Sequence, residues 1–146
     1  MSLECKYQEA VDVIGPGQSA FEAAERMHQR SVGTLVVVDN TNAPVGILTD
    51  RDLIVRVMAA GLDPHVMAIR EVMTASPTTA EPTITVEKAL ATMQAGGFRR
   101  LPLVNPLGHL AGIITLDDIL MSLCNDFVSV NRILEEETPA AAAISR

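Results

Sequence analysis

The feature that most restricts this chain is an internal repeat. Moving the sequence along itself by 66 positions lays Gly46-Ile47-Leu48-Thr49-Asp50-Arg51-Asp52 on Gly112-Ile113-Ile114-Thr115-Leu116-Asp117-Asp118. The same ungapped displacement puts Pro16 on Pro82, Ala23 on Ala89, Met27 on Met93, Leu35 on Leu101 and Val38 on Val104. One heptad could match by accident, but a shared register from Pro16 to Asp52 could not. A repeat of this length is a supersecondary unit used twice, each copy covering apolar surface that the other cannot cover alone. Two half-domains sharing a core fit the 146 residues.

Both copies spell the same elements. In the first, Val11-Asp12-Val13-Ile14 reads as a strand and Gly15-Pro16-Gly17 as a turn. Ser19 caps a helix, with Glu22 completing a capping box. Phe21, Ala24 and Met27 form its expected apolar face, with Glu22, Glu25 and Arg26 largely opposite. Thr34 to Val38 is a buried strand, Asp39 to Asn42 a turn, and Val45 to Leu48 the next strand. A second helix runs from Asp50 to about Ala60 and stops at Gly61. The second copy follows with a strand at Thr78–Ala80, a helix at Val86–Ala95 broken by Gly96-Gly97, and strands Leu101–Val104 and Leu110–Ile114. Its last helix starts at Leu116 and continues through Phe127, Val130, Ile133 and Leu134. The expected fold is α/β: two β-α-β-β-α repeats packed with pseudo-two-fold symmetry. Residues 8–61 and 74–126 are the repeats, 62–73 the link, and 127–146 a C-terminal helix and tail that frays from Glu135 onward.

Composition removes several function classes. Aromatic residues are 3% of the chain and Trp is absent, so base stacking has almost no platform. A net charge of −7 repels a phosphate backbone, so no nucleic acid partner is expected. No apolar run approaches the roughly twenty residues that span a bilayer, so no membrane insertion is expected. The start lacks a secretory pattern, and Cys5 and Cys124 make no zinc or redox motif, so a cytoplasmic location is expected. His28, His65 and His109 have no metal spacing and read as surface residues. Cys124 reads as a small buried hydrophobe, and the seven Met mostly as core or interface filling.

The repeated Gly-x-x-Thr-x-x-Asp is the motif that can carry chemistry. Structurally, Thr49 and Thr115 are N-caps whose boxes Asp52 and Asp118 close. Functionally, a helix start offers N–H groups to an anion, a Thr hydroxyl adds a donor, and an Asp accepts from ribose hydroxyls. Gly46 and Gly112 allow close approach of a ligand or of a neighbouring backbone. Asp50-x-Asp52 and Asp117-Asp118 could suggest magnesium-dependent phosphoryl transfer. No Lys partner, general-base His or glycine-rich phosphate loop accompanies them, so no catalytic residue, no metal and no enzyme are expected.

The paired arrangement resembles the CBS domain family from about Val11 to Leu123. The resemblance is carried by the two Gly-x-x-Thr-x-x-Asp segments, by Phe98-Arg99-Arg100-Leu101-Pro102-Leu103-Val104, and by the lead-in Ile69-Arg70-Glu71-Val72-Met73-Thr74. It implies a regulatory pair of repeats, often a disc-like homodimer, binding AMP, ADP or ATP between the repeats. S-adenosylmethionine or NAD are the alternatives. Residue by residue it makes Asp52 and Asp118 ribose ligands, with Thr49, Thr115, Arg51 and Asp117 near ribose and phosphate. Ile47 and Ile113 would flank the adenine or sugar. Thr78-Thr79-Ala80 and Asp12-Val13-Ile14 would give backbone contacts to adenine, and Arg99 and Arg100 would face phosphate. Where the second copy has Arg99, Arg100 and Pro102, the first has Gly33, Thr34 and Val36. The first cleft is therefore expected to hold phosphate less well unless Arg51 or a residue across the interface substitutes, and the site using Asp118 is favoured. The signal would pass to an unidentified regulated protein through a population shift. A ligand-free dimerisation or docking module is the competing reading, using Leu53, Ile54, Val57, Ile119, Leu120 and Leu123 as a helix–helix interface.

Overall fold

The computed structural model describes residues 5–137. The elements in order are β1 (Val13–Ile14), α1 (Ala20–Arg30), β2 (Thr34–Val38), β3 (Pro44–Thr49) and α2 (Asp50–Leu53), which widens into a π-helical turn over Ile54–Met58. Then come α3 (Ile69–Val72), β4 (Thr74–Ala75), α4 (Val86–Gly96), β5 (Arg100–Val104), β6 (Leu110–Thr115) and α5 (Leu116–Glu137). The repeat read from the sequence is therefore a structural repeat, and the α/β class holds. The tail, expected to fray from Glu135, is still helical to Glu137 as the end of α5, and its remainder from residue 138 lies outside the described residues.

Local chemistry explains where the helices begin and stop. Ser19 Oγ accepts from Glu22 N at 3.1 Å while Glu22 Oε2 accepts from Ser19 N at 2.7 Å, the reciprocal box that fixes the start of α1. Thr85 caps α4 in the same place but with Lys88 at the third position, which cannot accept, so only half the box forms. Gly97, at φ 68°, ends α4 in the left-handed conformation that glycine takes without strain. Ser31 adopts the same conformation at the end of α1.

Each repeat keeps its own helix-covered core. Ile14, Ala20, Ala23, Met27, Leu35, Val37, Leu48 and Val57 make the first; Ala89, Met93, Leu101, Leu103, Ile114 and Ile119 make the second. Strand alternation turns Val36 away from Leu35 and Val37, and Pro102 away from Leu101 and Leu103. Both are almost wholly buried yet belong to neither core, so they are covered by the opposite half. The halves also meet at the β-turns, where Leu110 N donates to Asn42 O at 2.8 Å.

The leading residues of each repeat cross over to the other. Thr74–Ala75 pairs antiparallel with β3, Thr74 opposite Ile47, and so completes the sheet β1-β2-β3-β4 of the first half. Gln8 bridges Ile113 of β6, with N–H···O bonds of 3.0 Å in both directions. Under the 66-residue register Gln8 is the counterpart of Thr74 and Ile113 of Ile47, so the exchange is symmetric. It also explains the two motif glycines. A Cβ on Gly46 would collide with Met73 Sδ and lie 3.1 Å from Thr74 O; one on Gly112 would lie 2.5 Å from Tyr7 Cδ2 and 2.7 Å from Gln8 O. Of the two roles open to these glycines, the structure fills the second: a neighbouring backbone passes over each.

Several expectations need correction. The buried face of α1 is Ala20, Ala23 and Met27, whereas Phe21 and Ala24 are exposed and line a groove beside α2. The strand expected at Thr78–Ala80 is a single parallel bridge, Ala80 to Leu103. The helix expected to reach Ala60 is α-helical only to Leu53; its widened turn holds Val57 in the core and Arg56 Nη1 2.8 Å from Val72 O. The segment between the copies carries α3, whose Ile69 and Val72 are fully buried in the first core. Cys124 is exposed and Cys5 is the buried cysteine, because α5 turns that face away from its sheet. His28 and His65 are exposed, the latter stacked on Phe21 at 4.2 Å between ring centres, while His109 is half-buried.

Candidate functional site

The repeat places two equivalent clefts between the halves. The larger, about 530 Å³, is walled by Ile47, Thr49 and Asp52 from the first repeat and by Thr74, Ser76, Thr78, Phe98, Arg99 and Arg100 from the second. The smaller, about 200 Å³, is walled by Ile113 and Thr115 from the second repeat and by Gln8, Asp12, Gly33, Thr34 and Val36 from the first, with Arg100 also on its edge. Each cleft joins the end of one repeat's sheet to the beginning of the other's.

The capping chemistry fixes the aspartates. Thr49 N donates to Asp52 Oδ2 at 2.9 Å and Asp52 N to Thr49 Oγ1 at 3.2 Å. Only one carboxylate oxygen is used by the box. The other, Oδ1, is outside the box and pairs with Arg56 Nη2 at 3.6 Å, and Asp52 is on the cleft wall. Thr115 and Asp118 make the same box at 3.3 and 3.1 Å. Here both carboxylate oxygens also receive Gln8 Nε2, at 2.9 and 3.0 Å, and Asp118 is not on its cleft's wall.

The residues singled out from the sequence therefore group differently from a copy-by-copy reading. Arg99, Arg100 and Thr78 stand with Ile47, Thr49 and Asp52, and only Arg100 also reaches the cleft of Ile113 and Thr115. The first repeat's lack of positive charge is thus made good from across the interface. Arg51, Asp117 and Thr79 are exposed and line neither cleft. Ala80 gives both backbone groups to β5, its N–H to Pro102 O at 3.1 Å and its carbonyl to Val104 N at 2.9 Å. Pro102 is buried in that strand. Val13 offers its carbonyl to Arg26 Nη1 at 2.5 Å and lines neither cleft, whereas its neighbour Asp12 lines the smaller one and pairs with Arg30 at 2.7 Å. Sequence reasoning missed Gln8, Thr74, Ser76 and Phe98.

Chemically, the larger cleft is lined by one carboxylate, Asp52, from the first repeat and by two arginines, Arg99 and Arg100, from the second. Arg99 is exposed and Arg100 half-buried, so both can meet an anion. Among the described residues no group of three or more His, Cys, Asp or Glu side chains is placed to hold a metal ion, and no helix is long and apolar enough to cross a membrane.

Known proteins supply the remaining comparison. The CBS domain family profile matches this chain twice, over residues 8–59 and 69–125. An uncharacterised protein of Methanopyrus kandleri, MK0525, is 38% identical over 75% of this chain and 57% of its own length. Inosine-5'-monophosphate dehydrogenase of Methanocaldococcus jannaschii is 36% identical over 75% of this chain, which there makes up 21% of the enzyme. Among solved structures, the CBS-domain containing protein ATU1752 of Agrobacterium tumefaciens superposes with a TM-score of 0.69 at 31% identity, covering 78% of this chain and 90% of that one. The chain spans little more than half of the archaeal relative it matches and about a fifth of the dehydrogenase.

Proposed function

The chain belongs to the CBS domain family, as a pair of CBS repeats, and on that premise we propose that it is a regulatory module binding an adenine nucleotide in the larger inter-repeat cleft. The observation that carries the reading is that Asp52 of one repeat and Arg99 and Arg100 of the other line the same cleft. A nucleotide is a diol and an anion held a fixed distance apart, and this cleft has an acceptor for the one and donors for the other. Its volume lies within the usual range for small-molecule sites. On a chain of net charge −7, two arginines in one cleft also mark where an anion is locally welcome.

The mechanism is linkage. A ligand touching both repeats favours whichever relative arrangement lets it touch both, and any partner that discriminates those arrangements feels its presence. The matched segment of the archaeal dehydrogenase is a minor part of an enzyme, which supports reading the CBS pair as an appendage that modulates other activities. Signalling to a regulated protein, and a cytoplasmic setting, belong to this proposal, as does the absence of catalysis by the chain itself.

A homodimer completes it. Val57 and Ile119, expected at the dimer interface, are buried in the repeats' own cores and are unavailable. Leu53 is half-buried against the first core; Ile54, Leu120 and Leu123 remain exposed, and the last two lead on to exposed Phe127 and Val130 along α5. Leu120, Leu123, Phe127 and Val130 are spaced three, four and three, the alternation of a two-helix seam. A second copy presents the same stripe and is its natural cover.

Isothermal titration with AMP, ADP, ATP, NAD and S-adenosylmethionine tests the nucleotide reading. One of the adenine nucleotides should bind with the highest affinity. Asp52→Ala should weaken it tenfold or more, the size of one charge-assisted hydrogen bond at about 1.5 kcal/mol. Absence of heat from all five would favour the ligand-free dimer instead.

A further inference from the structure

The two clefts correspond position by position, yet they differ at the residue beside the aspartate. In the first that residue is Thr74, which donates nothing to Asp52; its hydroxyl accepts from Arg56 Nη2 at 3.4 Å, the same nitrogen lies 3.6 Å from Asp52 Oδ1, and Asp52 stays on the cleft wall. In the second it is Gln8, whose Nε2 reaches both oxygens of Asp118 at 2.9 and 3.0 Å. The amide can face only one way, since its oxygen against a carboxylate would repel. With Thr115 N donating as well, at 3.3 Å, neither oxygen of Asp118 is left without a donor. The cleft shrinks to about 200 Å³.

The rest of that cleft still has the character of a site. Ile113 and Thr115 repeat Ile47 and Thr49. Thr34, on the same wall, has a buried hydroxyl with no hydrogen-bond partner among the described residues, a state that costs free energy unless something fills it.

We propose that Gln8 is a built-in latch on the second cleft. It holds the carboxylate that a ribose would need, so that the chain takes a nucleoside in the first cleft alone and the second opens only when Gln8 withdraws. The inference rests on the nucleotide reading above. Gln8 competes well because it is already in place: its backbone is fixed to Ile113 by two bonds of 3.0 Å, and only its side chain must be ordered. An incoming ribose must break a charge-assisted bond before it can make its own. Asp12 and Gly33, standing where the first cleft has Thr78 and Arg99, further disfavour a phosphate. The unphosphorylated nucleoside is therefore the cleaner probe.

Equilibrium dialysis of the full chain with adenosine tests the latch, using Gln8→Thr, which installs the residue found in the other repeat. Gln8 is exposed, and a thermal melt of each variant checks that it folds. The wild type should saturate at one adenosine per chain, and Gln8→Thr at two, with second-site affinity raised at least tenfold. Asp52→Ala should lose binding, Asp52→Ala with Gln8→Thr should regain one equivalent, and adding Asp118→Ala should abolish it again. Single occupancy of Gln8→Thr beside a wild type that also binds one overturns the latch and leaves the nucleotide reading standing. Two equivalents in the wild type overturn it as well. A wild type that binds neither adenosine nor AMP removes the nucleotide reading and the latch with it.

Discussion

Replacing Gly112 by Ala should destabilise the chain more than replacing Gly46, and only the second should weaken the larger cleft. The perturbation is one methyl group placed under a crossing backbone. At Gly112 the new Cβ meets the Tyr7 ring at 2.5 Å and Gln8 O at 2.7 Å, and the latter is a backbone atom held by its own ladder bonds. Relief requires moving the whole Tyr7–Gln8 segment. Overpacking of this kind costs about 1–3 kcal/mol. Loosening the two Gln8–Ile113 bonds adds about 1 kcal/mol each at most. A total near 3 kcal/mol corresponds to a fall in melting temperature of roughly 6–12 °C for a chain of this size. At Gly46 the main obstacle is the Met73 thioether, a flexible side chain, with Thr74 O at 3.1 Å needing to give only slightly. The cost there should be about 1–2 kcal/mol, near the low end of the overpacking range. Because β4 carries Thr74 into the larger cleft, Gly46→Ala should also lower nucleotide affinity, which Gly112→Ala should leave within about twofold. Calorimetric melts and titrations of both variants provide the comparison. A Gly112→Ala protein melting within about 2 °C of wild type would refute the crossing, because no chain could then lie over that glycine.

Three further outcomes follow from other parts of the molecule. A thiol reagent at neutral pH should label Cys124 rapidly and Cys5 only on unfolding, since burial raises the Cys5 thiol above its usual range; fast labelling of both would contradict the packing of Cys5 in the second core. The Glu22 carboxyl is held below its usual range, first by the Ser19 backbone N–H and then by the Ser19 and Gln18 side chains and the charge of Arg26. Its contribution is therefore present above the unfolded carboxylate value and lost as pH falls through the lowered one, so Glu22→Gln should flatten the acid side of the urea-stability profile while keeping the cap. An unchanged profile would count against the box. Phe127→Glu should shift the chain toward monomer in light scattering after gel filtration, and an unaltered mass would remove α5 from the proposed dimer seam.

Much of this fold was legible because its rules are local. The register of Pro16 to Asp52 on Pro82 to Asp118 announced two like halves, and Ser19 and Thr49 marked helix starts that the backbone confirms. What stayed hidden was non-local. The exchange of Thr74–Ala75 and Gln8 between halves leaves no periodicity in either segment, each being too short to show a strand's alternation. The grouping of Arg99 and Arg100 with Asp52 depends on that exchange, so reading each copy by itself paired them with Asp118. Cys124 misled for a related reason: an apolar stripe on a helix says that something covers it, without saying whether the cover is the helix's own sheet or another molecule.

The most direct measurement is a co-crystal structure of the chain with AMP. The ribose should sit against Oδ1 of Asp52, beside Arg56, with the phosphate between Arg99 and Arg100, so that one small molecule touches both halves. Density for AMP anywhere else, or an empty gap between Asp52 and those arginines at saturating AMP, would contradict the account at its root.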